Sequence, residues 1–203
     1  MLSNFDYEPD NFPGQLPVGR LEEFEKAFTR WVEASRPIVL PSDYRQHIQQ
    51  YHGGVPRKGS FVDGTGRRRT IGRFVNFLRP SDPLPPPNVV SWRGSGRDVR
   101  LDYSIDVLGP MSYANMDGLG PYLVPFACLD TNGHNCRRMA RFDLLCFDFS
   151  DGGQINVVTW DCEKSSTDNP VTAPVIASFS ELSLRVESSE PDAADVSAND
   201  MKF

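Results

Sequence analysis

Between Tyr122 and Trp160 the chain repeats a pattern that few architectures accommodate: a short apolar run, a polar turn, then another apolar run. Leu123 to Leu129 reads as a strand, Asp130-Thr131-Asn132-Gly133 as a turn, and Phe142 to Phe149 as a second strand. Asp151-Gly152-Gly153 is a hairpin signal, because such residues readily take the positive φ that tight turns need, and Ile155 to Trp160 follows as a third strand. Runs this short, joined by turns this tight, predict a β-meander. Ser178-Phe179-Ser180-Glu181 then has the form of a capping box, which predicts a last short helix through Val186.

The first part of the chain has a different period. Leu21, Phe24, Phe28, Trp31 and Val32 recur at helical spacing, with Glu22 and Glu23 in the first turn, where the helix dipole favours acids. This predicts an amphipathic helix of about four turns, ended by Pro37. A second helix is expected from Pro41, whose missing N–H costs nothing at the first helical position. Tyr44, Ile48 and Tyr51 line one of its faces; Gly53-Gly54 stops it, and Val55-Pro56 forbids continuation. His47 and His52 are expected on solvated surface.

Residues 57–121 are less regular. Arg67-Arg68-Arg69, the proline run from Pro83 to Pro87 and Arg93-Gly94-Ser95-Gly96-Arg97 read as loops, while Thr70 to Phe77 and Asp98 to Val107 alternate enough to be strands. The expected organisation is an extended lead-in (1–20), one domain (21–186) with a long insert at about 57–121, and an acidic, disordered tail (187–203).

The length of 203 residues argues for one domain able to bury roughly 70% of its unfolded surface. A net charge of -6 disfavours direct binding to nucleic acid, which needs a basic footprint, and suits a basic protein partner better. The opening residues carry no cationic region followed by an apolar run, and no stretch reaches the ~18 apolar residues of a membrane span. With four cysteines in a chain that has core enough without staples, these features predict a cytoplasmic protein with reduced thiols.

No catalytic constellation emerges. Cys128, His134, Cys136 and Cys146 could seed a metal site, but their spacing matches no common zinc knuckle, and Cys128 and Cys146 lie in apolar strands, where free cysteine behaves as a small hydrophobe. Gly53-Gly54 closes a helix, whereas a phosphate loop opens one. Ser95 lacks the context of a nucleophile elbow. The chain is read as a non-enzyme that needs no cofactor and no metal, with a small hydrolase as the least favoured alternative.

Leu40-Pro41-Ser42-Asp43-Tyr44 before a helix that ends in Gly53-Gly54 resembles the SUKH superfamily, the group related to the fungal Smi/Knr cell-wall regulators. Leu123-Val124-Pro125-Phe126-Ala127, Cys146-Phe147-Asp148, Val157-Val158-Thr159-Trp160-Asp161-Cys162-Glu163 and Ser178-Phe179-Ser180-Glu181-Leu182 resemble its later strands and closing helix. The resemblance spans roughly residues 21–56 and 122–186. It implies an α+β fold whose central, mostly antiparallel sheet is flanked by helices. It further implies an immunity protein that neutralises a cognate toxin, such as a nuclease, by stoichiometric binding, or alternatively a regulatory scaffold or adaptor, as in fungal relatives. Tyr44, Gly53, Gly54 and Trp160 match the family motifs and are read as fold-making. Acids at the loop ends of the sheet, Asp130, Asp148, Asp161 and Glu163, are the candidate partner-binding residues, and a toxin domain is the expected partner.

Overall fold

The computed structural model describes residues 5, 7, 16–77, 79, 118–129, 143–166 and 169–188. Helix α1 (Arg20–Trp31) buries Leu21, Phe24 and Phe28, as its periodicity predicts. It stops well before Pro37, and the reason is a Schellman turn. The Glu33 N–H donates to the Arg30 carbonyl at 3.3 Å and the Ala34 N–H to the Thr29 carbonyl at 3.1 Å, while Glu33 takes φ 52°. That left-handed position usually belongs to glycine because a Cβ there crowds the backbone. Glu33→Gly is therefore expected to stabilise the protein by about 0.5–1 kcal/mol, seen as a higher denaturant midpoint. An unchanged or lower midpoint would show that the glutamate side chain compensates its own strain.

Helix α2 (Ser42–Tyr51) begins one residue after Pro41, which is the cap. Helix α3 (Phe179–Arg185) starts as its sequence predicts, with the Glu181 N–H donating to Ser178 Oγ at 3.2 Å. Asp43, in the first turn of α2, accepts from the Ser180 N–H and hydroxyl at 2.7 and 2.6 Å, which joins the starts of the two helices.

Seven strands, β1 (Lys58–Val62), β2 (Arg68–Phe74), β3 (Leu123–Leu129), β4 (Leu144–Asp148), β5 (Asn156–Trp160), β6 (Thr172–Ile176) and the two-residue β7 (Glu187–Ser188), pair antiparallel in the order β6-β5-β4-β3-β2-β1-β7. The described residues thus form an α+β domain with an antiparallel sheet and three helices. The meander is longer than expected. Lys58–Val62 and Arg68–Phe74, placed by sequence inside an insert, are inner strands of the sheet, and Glu187–Ser188, placed in the tail, closes its far edge. The expected strand at Asp98 to Val107 lies outside the described residues.

The sheet is strongly bent. The first half of β2 pairs with β1 and its second half with β3, and the register breaks at Ile71–Arg73, Pro125–Ala127 and Val157–Val158. Such bulges raise local twist. The curl carries the β1–β2 turn onto β6, where the Gly64 N–H donates to the Pro174 carbonyl at 2.7 Å. A Cβ on Gly64 would lie 2.3 Å from that oxygen, so the contact requires glycine. Pro174 offers no donor and its carbonyl is taken, which blunts β6 as an edge for another strand.

Phe74, Phe126 and Phe147 carry the core across β2, β3 and β4. Tyr44 of α2 meets Phe147 at 4.9 Å and Phe126 at 5.5 Å between ring centroids, and Phe179 of α3 at 5.2 Å, all edge-on. His47 and His52 are buried, contrary to the sequence expectation. The end of α2 is covered because the segment after β2 runs beside it: the Gly53 N–H donates to the Val75 carbonyl and the Phe74 N–H to the Gly54 carbonyl, both at 2.9 Å.

Candidate functional site

The acids proposed as partner anchors do not converge. Asp130 lies outside the described residues. Asp148 ends β4 opposite Asn156, the first residue of β5, whereas Asp161 and Glu163 follow Trp160 at the other end of β5. A five-residue strand separates the two groups by about 13–17 Å.

The Asp161 end is occupied by structural bonds. Asp161 accepts from the amides of Glu163 and Lys164 at 3.1 and 3.0 Å and from Lys164 Nζ at 2.7 Å. Burial pushes its carboxyl up, but the Lys164 ammonium and these amides outweigh that and hold its pKa below the usual range. Beside it, Asp143 Oδ2 accepts from Arg69 Nη2 at 2.6 Å and Oδ1 from the Cys162 N–H at 3.0 Å. Asp63, in the β1–β2 turn, stands 4.0 Å from Arg69 Nη1 and also accepts from the Thr65 hydroxyl and the Thr65 and Arg67 amides. Burial raises the Cys162 thiol to about 11, and the Asp143 carboxylate adds to that, so this half-buried sulfur is a poor nucleophile. Of the Arg67–Arg69 run, expected as solvated loop, only Arg69 is buried; strand alternation turns its side chain inward.

The Asp148 end is open. There the α1–α2 connection faces the β4–β5 hairpin across a cleft of about 470 Å³. Arg36 spans it, donating to the Gly152 carbonyl at 2.5 Å. Tyr122, Phe149 and Asp151 line the hairpin side, Pro37 and Val39 the other. Among the described residues, Val39 (51% exposed) and Tyr122 (39%) are two of the six large apolar side chains left exposed. Aromatic and arginine side chains of this kind are the usual anchors of protein interfaces, and the Asp151 carboxylate adds charge selectivity. Sequence reasoning passed over this site because its two walls lie far apart in the chain; the aromatic Tyr122 just before a strand was its one visible signal.

The family-motif residues are internal. Tyr44, Gly53, Gly54 and Trp160 are all buried. Trp160 donates its ring N–H to the Gly118 carbonyl at 2.8 Å, which ties β5 to the segment preceding β3. Cys128, Cys146 and Cys162 are free thiols, and His134 and Cys136 lie outside the described residues. Among the described residues no group of three or more His, Cys, Asp or Glu could hold a metal ion, and no helix is long and apolar enough to cross a membrane. The fold and this site define an α+β protein with a bent antiparallel meander and an open, aromatic-rimmed cleft at one end. Comparison with protein families, with curated proteins and with solved structures finds no match to the chain.

Proposed function

We propose that this protein is a cytoplasmic immunity protein of the SUKH superfamily, acting without catalysis by binding a cognate toxin domain, with a basic nuclease as the favoured class. The observation that carries the reading is the cleft beyond the Asp148 end of β4, where exposed Tyr122 and Val39 stand beside Arg36 and Asp151. Support also comes from the motif order, since the Leu40–Tyr44 segment leads into α2, the Gly-Gly pair ends it, and the Trp160-Asp161 motif closes β5. The titratable groups gathered inside, Arg69 with Asp143 and Tyr7 with His47, are engaged in structural pairs rather than poised for chemistry. Net charge of -6 would steer a basic partner, so association should slow as salt is added.

The test begins with capture of the tagged protein's partner from its own source and measurement of affinity against that partner. Tyr122→Ala should weaken binding at least about tenfold, with the melting temperature nearly unchanged. Normal binding by that variant, together with a loss in Asp161→Ala or Glu163→Ala, would move the face to the other end of β5. A captured set of cell-wall or signalling proteins with no stoichiometric toxin domain would reject immunity in favour of the scaffold role.

A further inference from the structure

Ile38, Val39 and Leu40, shortly before α2, have the two-residue alternation of an extended strand. Ile38 and Leu40 are 4% and 2% exposed, whereas Val39 between them is 51% exposed. Two side chains of α1 hold this segment by alternate amides. The Ile38 N–H donates to Thr29 Oγ1 and the Leu40 N–H to Glu25 Oε1, both at 2.8 Å. Glu25 is buried and is fixed in turn by Arg45 Nη1 at 2.5 Å. In an extended chain the backbone groups of the intervening residue point the opposite way, so the Val39 N–H and C=O face away from α1. Neither has a hydrogen-bond partner among the described residues, and Val39 lines the cleft opposite the β4–β5 hairpin. Arg36 and Asp151 line the same cleft, and among the described residues neither is in an ion pair. The bond to the Gly152 carbonyl orients the Arg36 guanidinium and leaves its other donors uncommitted.

We infer that the Val39 backbone is a strand-pairing site for an extended segment of a protein partner. The segment exchanges both backbone hydrogen bonds with Val39, sets an apolar side chain against Val39 and Tyr122, and places a carboxylate on Arg36. This rests on the function proposed above and names how its partner is held. The occupant is extended because a helix has no backbone N–H and C=O groups to spare along its side. Its carboxylate follows from the planar fork of Arg36, whose paired donors match the two oxygens of that group. A cation on the same segment has Asp151 to meet. Backbone pairing supplies affinity and the flanking side chains supply specificity, as in other cases of strand addition. Because Thr29 and Glu25 already fix the neighbouring amides, the site is ordered before the partner arrives, which lowers the cost of binding.

The experiment uses the full chain and, as probe, a displayed library of random linear decapeptides, with the recovered binders made synthetically. In the free chain the Val39 amide should exchange its hydrogen freely, while those of Ile38 and Leu40 are protected. A bound peptide should slow Val39 exchange at least about tenfold. Val39→Pro removes the N–H and tolerates an extended backbone, so it should weaken the peptides at least about tenfold, whereas Val39→Thr, which keeps the amide, should stay within about threefold. Arg36→Gln should erase any preference for an acidic residue in the peptide. Should Val39→Pro fail to fold, the exchange of the unaltered chain decides. No saturable binder, or binders that leave Val39 exchange unchanged, would overturn the inference. Protection of Val39 that grows with concentration of the chain alone would make the occupant a second copy and overturn it as well. A captured toxin domain whose complex leaves the Val39 amide unprotected overturns the inference and keeps immunity; protection by peptides without any captured toxin does the reverse.

Discussion

Arg69→Ala is expected to lower stability by about 3–5 kcal/mol, the usual consequence of removing one member of a buried ion pair. Arg69 is 4% exposed, and its guanidinium bonds Asp143 at 2.6 Å with Asp63 4.0 Å away. Without it, two carboxylates remain in surroundings that water reaches poorly. The Asp143 and Asp63 side chains are 16% and 3% exposed, so Asp63 in particular cannot recover hydration without local rearrangement. Burial alone would raise the Asp63 carboxyl; the Thr65 and Arg67 bonds and the Arg69 charge hold it low, and one of those is lost in the variant. The effect should extend beyond the pair, because it joins β2, the β1–β2 turn, the start of β4 and, through Cys162, the end of β5. Denaturant unfolding of Arg69→Ala, Asp143→Ala and the double variant measures both the cost and the coupling. A loss under about 1 kcal/mol would mean that solvent replaces the pair and that the bulges alone hold the bent sheet.

Acidification should destabilise the protein well before its carboxylates protonate. The His47 pKa is lowered to about 3 by burial, with Asp43 on the same helix pulling the other way. Among the described residues, the Tyr7 hydroxyl and the rings of Phe5, Tyr51, Phe74 and Phe179 also face the ring, and none of these carries charge near neutrality. Above pH about 6.5 the histidine is neutral in both folded and unfolded chains and contributes no pH dependence. Below it the unfolded chain takes up a proton that the folded chain refuses, so stability falls with pH until about 3, where both forms are charged. The whole window caps the loss at roughly 5 kcal/mol, of which about 2–3 falls between pH 6.5 and 4.5, where carboxylates are still ionised. Stability against pH for the unaltered chain and for His47→Gln checks this. The substitution should remove most of the slope in that interval, and equal slopes in the two proteins would exclude His47 as its source.

Both predictions rest on residues that local sequence reading misplaced, and the reason is the same for each. Hydrophobic period and capping act over a few neighbouring residues, so the strand at Leu123–Leu129 and the Ser178 cap could be read directly from their order. Lys58–Val62 contains a glycine and Thr172–Ile176 a proline, both poor strand residues by local preference, and both are strands because neighbours already in the sheet complete their backbone bonds. Nothing near Arg69 distinguishes it from its neighbours except where the strand begins: Arg67 is still in the turn, and Arg68 points to the opposite face of β2.

The amino-acid order by itself determined that helices precede a meander, where α1, α2 and α3 bury their apolar faces, and that the backbone turns at Gly53-Gly54 and Asp151-Gly153. Only the tertiary structure decided what those elements meet. Tyr7 reaches His47 across 40 positions and Arg69 reaches Asp143 across 74. Gly54 proves to lie against the Tyr7 ring as well as to stop a helix, and the open cleft forms where a helix connection meets a distant hairpin. Burial and ion pairing depend on which surfaces come together, and that is a property of the bent sheet as a whole rather than of any stretch of sequence within it.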